Sequence, residues 1–248
     1  MKKLIYTTLL MSAMLLFSCQ DLVDGIDDNP NDITIADVDA TLFLTGSQLA
    51  NTSASLGHLN RIAGMWSGQL TGLSSLYSNI YGYSISTAES VGTWGRIYIG
   101  IIPNVRHMRA QLPNDALVQG IAKTLEAQAV GLGASLFGDV PYSQVNTEEV
   151  DDPSFDNQMD VLNSVISLLD GAISDFNSAG SGRNLDVDIY YGGDANQWKA
   201  AANTLKARYQ MIMRDYNGAY ASAQSGISSA NDNVQHIPRG DASVSAGD

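Results

Sequence analysis

Apolar residues recur at steps of three and four over most of the chain, the spacing of one face of an α-helix. The clearest run starts at Asn114, where Leu117, Ile121, Leu125, Ala129, Leu132 and Leu136 predict one long helix. A second opens after Asp156, taken as its N-cap, and sets Met159, Leu162, Ile166, Leu169, Ile173 and Phe176 on a single stripe. A third carries Trp198, Ala202, Leu205, Tyr209 and Ile212, and a fourth, from Gly218 to Ala230, presents Ala219, Ala223, Gly226 and Ala230 along one side. Upstream, Val38, Leu42, Leu44 and Leu49 follow near-helical intervals. Trp94, Ile97, Ile101, Val105 and Met108 form a further stripe, in which Pro103 predicts a kink.

The pattern predicts an all-α protein. Paired helices with small contact residues suggest tetratricopeptide-like helical hairpins, although the full repeat consensus is absent and periodicity alone gives packed hairpins. Between the helices lie long irregular stretches, Gly64 to Gly92, Gly138 to Phe155 and Asn177 to Asn196. Long loops on a helical scaffold are where binding usually resides.

The amino terminus departs from this pattern. Lys2 and Lys3 precede an apolar run from Leu4 to Phe17, well short of the roughly 20 residues that a spanning helix needs. The single cysteine, Cys19, follows directly after Ser18, so residues 1–18 read as a lipoprotein signal and Cys19 as the lipidated first residue of the mature chain. Two or more acyl chains make such an anchor stable where one is marginal. An ordinary secretory signal with an incidental cysteine is the alternative. Residues 19–33 are acidic and turn-rich and read as a flexible tether.

Formal charge is -13, and loss of residues 1–18 removes two lysines and no acid, giving -15. Such a surface disfavours nucleic acid, whose phosphates need clustered Lys and Arg. With one cysteine no intramolecular disulfide is possible, so the core holds the fold alone.

The chemistry-bearing residues give no catalytic or cofactor site. His58, His107 and His236 are isolated, which argues against a metal, and the acid-rich stretches Asp24 to Asp32 and Asp186 to Asp194 lack an EF-hand pattern and read as solvated turns. Gly131 and Gly133 imitate a dinucleotide fingerprint but sit inside a helical stripe, where they favour close helix packing. No G-x-S-x-G elbow occurs, and nothing singles out one acid among Asp139, Glu148, Glu149, Asp151 and Asp152. The aromatics say more. Trp66, Tyr77, Tyr81 and Tyr83 crowd one Gly/Ser-rich stretch with Ser74, Ser75, Ser78 and Asn79. Flat apolar faces beside hydroxyls and amides suit a sugar, and the same rings would equally serve as cover for the helices beneath them. Trp94 and Trp198 lie on helical stripes and read as core.

Three segments resemble the SusD/RagB family, in its SusD-like branch. Ala134-Ser135-Leu136-Phe137-Gly138-Asp139-Val140-Pro141-Tyr142-Ser143 resembles the family's helix ending and G-D-V-P-Y turn. Pro153-Ser154-Phe155-Asp156 leading to Leu169-Asp170-Gly171-Ala172 is similar to its P-x-Y-D entry and L-D-x-A helix. Asp188-Ile189-Tyr190-Tyr191-Gly192-Gly193-Asp194, then Trp198 and Asn203-Thr204-Leu205-Lys206-Ala207-Arg208, resembles its Y-x-G-D…W…N-S-L-K-x-R stretch.

The resemblance implies a SusD-like helical domain over 34–231, incomplete at its carboxyl end because family members are longer, with 232–248 as a polar tail. It implies a non-catalytic lipoprotein on the outer membrane, facing the exterior through a lipid anchor at Cys19. That protein would capture an oligosaccharide as the lid of a TonB-dependent SusC-like transporter. Peptide capture by the same fold and a helical-repeat scaffold without a ligand are the rivals. The motif residues read as structural: Gly138, Asp139 and Pro141 shape a turn, Trp198 packs, and Asn203 and Arg208 satisfy buried polar groups. Trp66, Tyr77, Asn79 and Tyr81 are the candidate ligand-binding residues.

Overall fold

A computed structural model describes residues 38–145 and 150–235. The signal peptide, Cys19, the 19–33 tether, Glu148, Glu149, His236 and most of the polar tail lie outside the described residues. The chain is all-α, as its periodicity predicts. In order it forms α1 (Leu42–Leu56), α2 (His58–Trp66), α3 (Ser75–Tyr81), α4 (Ala88–Gly95), a π-helical turn (Arg96–Ile101) and α5 (Ile102–Gln111). The long α6 (Ala116–Phe137) and α7 (Gln158–Ala179) follow, then α8 (Ala195–Ile212) and α9 (Tyr216–Ala223). A two-stranded antiparallel clasp, β1 (Val140–Pro141) with β2 (Phe155–Asp156), closes the connection between α6 and α7.

Side-chain caps set the helix starts. The carboxylate of Asp115 accepts from Val118 N, Asp194 from Asn196 N and Gln197 N, and Asp215 from Gly218 N, each satisfying amides with no intrahelical partner. Asn157, not Asp156, caps α7 by accepting from Met159 N. Asp156 turns instead toward the clasp.

The core is built on α6, which packs against α7, α5, α8, α1 and the π turn. Its leucine stripe is buried as expected at Leu117, Ile121, Leu125 and Ala129, while the stripe ends Leu136, Met159 and Ile212 are exposed. Two glycines permit the close approach. A Cβ on Gly131 would stand 2.3 Å from Tyr209 Cζ, and one on Gly120 would stand 2.6 Å from Phe176 Cε1.

Several expectations change. The Gly64 to Gly92 stretch holds α3 and the start of α4, and Ile80 of α3 joins Ile62 and Met65 in a small separate core. The fourth stripe yields only the short α9: Ala219 is buried, but Ala223 and Ala230 are exposed. Pro103 does not kink a continuous helix. It occupies the first turn of α5, where its missing N–H costs nothing, and the helix in front of it widens into the π turn. The Asp186 to Asp194 stretch is a turn with Asp186 and Asp194 exposed, but its middle acid is not solvated. Asp188 is only 5% exposed; its carboxylate accepts from Trp198 Nε1 at 2.7 Å, Gly193 N at 2.8 Å, Gln48 Nε2 at 2.5 Å and Tyr190 N at 3.0 Å. The segment that looked like a loop is thereby riveted to α1 and α8. Trp198 is buried as expected, Asn203 bonds the Lys199 carbonyl within its own helix, and Arg208 is exposed and makes no hydrogen bond among the described residues.

Candidate functional site

The aromatic stretch condenses around α2 and α3. Trp66 ends α2 and donates its indole N–H to the Ile80 carbonyl at 2.8 Å, which fixes the ring and leaves it a face but no free donor. Tyr83 lies beside it, with ring centroids 5.6 Å apart and planes tilted by 32°. It is held there at a backbone φ of 63°, in the left-handed region that side chains other than Asn, Asp and Gly seldom adopt, by its amide bond to Ile80 O. Tyr83 is 72% exposed and Trp66 40%, so the pair is open on its outer side.

Trp66 also lines a groove of about 510 Å³ walled by Leu59, Ile62, Ala63, Ile85 and, from the end of α6, Leu136 and Phe137. Ser86, Glu89 and Ser90 add polar groups to it. Of the four residues singled out in the sequence, only Trp66 lines this groove. Tyr77 faces inward and is half-buried, its hydroxyl accepting from Arg61 Nε at 2.7 Å. Asn79 and Tyr81 are exposed on α3. Tyr83 and the Leu136–Phe137 wall were not among the candidates; the wall comes from a distant helix, and the strained backbone of Tyr83 leaves no mark in composition.

His58 is structural, bonded through Nε2 to Glu89 at 2.6 Å. His107 packs edge-on against Phe43 at 5.1 Å. No group of three or more His, Cys, Asp or Glu side chains fit to hold a metal occurs among the described residues.

Trp94, expected in the core, is half-buried and forms a second aromatic surface. Its ring lies 4.6 Å from Tyr98 and 5.4 Å from Phe137, and 6.4 Å from Phe155, which is 66% exposed. Trp94, Tyr98 and Phe155, with Pro141, Pro153, Asp151 and Asp152, line a groove of about 560 Å³.

The clasp holds this second surface in place. Gly138 at φ 82° turns the chain out of α6, and Asp139 Oδ1 accepts from Gln158 N at 2.8 Å, as the turn-forming role of both predicts. Asp156 gathers Ser143 N at 2.7 Å, Tyr142 N at 2.8 Å and Ser143 Oγ at 2.7 Å. Partial burial alone would raise its pKa, but these three donors outweigh it and hold the carboxyl below its ordinary value. A lowered native pKa adds stability that is fully present above the ordinary aspartate range and is lost as pH falls through the native value. Asp156→Asn is therefore expected to be less stable than the parent at pH 6, with the gap narrowing toward zero as the solution is taken below roughly pH 3. Denaturant midpoints at both pH values check this, and a gap that stays constant would refute it.

Comparison with known proteins follows from this geometry. The family model SusD-like_2, described as starch-binding and associating with the outer membrane, matches residues 30–238. The fold is similar to a SusD/RagB family protein from Bacteroides thetaiotaomicron, at 24% identity and TM-score 0.70 over 79% of this chain and 44% of that one. It is also similar to a SusD-like protein from the same organism, at 25% identity and TM-score 0.67 over 79% and 44%. A chitin-binding SusD homolog from Flavobacterium johnsoniae shares 15% identity and TM-score 0.58 over 76% and 44%. The chain thus spans less than half the length of each of these structures. No curated protein matches it.

Proposed function

The chain belongs to the SusD-like family, and from that premise we propose that it is a non-catalytic outer-membrane lipoprotein, anchored at Cys19 and facing the exterior, that captures an oligosaccharide for a TonB-dependent SusC-like transporter. The observation that carries the sugar reading is the open Trp66–Tyr83 pair beside the apolar groove. With its N–H committed to Ile80, Trp66 offers a ligand only a flat face, and the C–H patches of a pyranose ring fit such a face. Asn79 and Tyr81 supply amide and hydroxyl groups on α3, and Tyr77 packs against the Ile62–Met65–Ile80 core beneath. A tethered receptor needs only modest affinity, because attachment raises the local ligand concentration at the pore. No helix among the described residues is long and apolar enough to cross a membrane.

Calorimetric titration of the full chain against neutral oligosaccharides, led by maltohexaose, tests the assignment. Trp66→Ala is expected to weaken binding at least tenfold, the loss of about 1.4 kcal/mol of stacking. Affinity untouched by Trp66→Ala would remove the site. Saturation by extended peptides alone would favour peptide capture, for which the apolar walls Leu59, Ile62 and Leu136 are the supporting feature.

A further inference from the structure

The rings around Trp66 do not end at their own groove. Phe137 lines that groove and meets Trp94 edge-on at 5.4 Å, so a single ridge of two rings separates the first groove from the second. Beyond the ridge, Trp94, Tyr98 and Phe155 line the second groove. The Tyr98 hydroxyl donates to the Pro141 carbonyl at 2.9 Å and is fixed there. The groove therefore offers π-faces and very few hydroxyls.

Its charge is one-sided. Asp151 and Asp152 line it and are exposed, and neither has a hydrogen bond or an ion pair among the described residues. No Lys or Arg lines it, and none occurs in the sequence from Val145 to Phe155. Aromatic faces carry a negative quadrupole and attract cations, and adjacent carboxylates add to that attraction. An acidic sugar would meet both these groups and the -13 charge of the chain.

We propose that the Trp94–Tyr98–Phe155 groove is a second subsite, continuous with the Trp66 groove across the Phe137 ridge, that takes a sugar unit bearing a protonated amine. The proposal rests on the glycan reading above and narrows it to an extended amino-sugar oligomer. One end stacks on Trp66, and a charged unit further along lies on Phe155 between the two carboxylates.

The probes are hexaglucosamine and the neutral maltohexaose, titrated into the full chain at roughly pH 6, below the ordinary range of α-amino groups. Hexaglucosamine is expected to bind about tenfold more tightly than maltohexaose, and 0.5 M salt to close most of that gap. Asp151→Asn with Asp152→Asn should abolish the preference, and Phe155→Ala should weaken hexaglucosamine by about tenfold. All three positions are exposed, so the fold is retained, which the unfolding midpoint checks. Equal affinity for the two sugars, failure of hexaglucosamine to saturate, or indifference to Phe155→Ala overturns the subsite. Maltohexaose binding that still depends on Trp66 would in each case leave the broader glycan reading standing; its loss of dependence on Trp66 would sink that reading separately.

Discussion

Asp188→Ala is expected to lower the free energy of unfolding by about 4 kcal/mol. The carboxylate is buried and collects the Trp198 indole, the Gly193 and Tyr190 amides and the Gln48 side chain, joining α1, the 181–194 connection and α8 at one point. Each of these donors, left buried without an acceptor, costs roughly 1–3 kcal/mol, and the total is less than their sum because a buried charge is removed at the same time. Asp188→Asn keeps the shape but turns one acceptor into a donor facing other donors, so it should recover only part of the loss. Urea denaturation followed by tryptophan fluorescence measures both, with the slope against denaturant required to stay constant. A cost below about 1 kcal/mol for the alanine variant would show that the hub is dispensable.

The second large effect concerns a charge buried in the middle of α6. Glu126 is 1% exposed, and its two oxygens accept from Arg106 Nε at 2.8 Å, Arg109 Nη1 at 2.8 Å and the Tyr142 hydroxyl at 3.1 Å. The Arg106 guanidinium also lies over the Tyr142 ring at 5.2 Å. Burial first, then the neighbouring Glu126 charge, raises the Tyr142 pKa, so its hydroxyl stays a donor at all physiological pH values. Glu126→Ala leaves two guanidinium groups facing each other without a counter-charge and should cost about 3–5 kcal/mol. The companion measurement is the triple variant Glu126→Met, Arg106→Met, Arg109→Met. Removing every charge at once deletes the uncompensated state, and a buried ionic cluster replaced by apolar side chains of similar size is often nearly neutral. The triple variant should therefore be more stable than Glu126→Ala. If it were less stable, the cluster would be contributing net stability beyond mutual compensation.

These two residues mark where the sequence was opaque. Asp188 sits in a stretch whose acids and glycines have turn composition, and nothing local announces that a tryptophan ten positions on and a glutamine on α1 converge upon it. Glu126 follows Leu125 on the buried side of α6, and its partners lie on α5 and just past β1. The long stripes of α6, α7 and α8 were legible because each buries one face, and that is a local property of the chain. So was Gly131, which lets Tyr209 approach α6, whereas Gly120, which does the same for Phe176, was not singled out. Trp94 heads a stripe whose Ile97, Ile101, Val105 and Met108 are fully buried, and it packs against the core from its edge, where the ring stays half-buried. For the candidate site, composition marked the aromatic cluster, and Trp66 lies on the groove. Tyr83 was not separable from its neighbours, because a positive φ in a tyrosine is imposed by tertiary contacts. The groove wall at Leu136 and Phe137 joined the site only through the fold.

The clasp between Val140–Pro141 and Phe155–Asp156 separates the groove's rim from the frame that carries it. Its ends are pinned by the ladder, by Asp156 and by Asp139, so the chain between them is a closed loop whose entropic cost grows only with the logarithm of its length. Doubling that length would cost about 0.6 kcal/mol. Residues that line the Phe155 groove, Asp151 and Asp152 among them, are carried on this loop, whereas α6 and α7 are anchored outside it. Sequence change can thus lengthen, shorten or recharge the rim of this groove while the helices that frame it stay the same, so the chemistry of the rim varies almost independently of foldability.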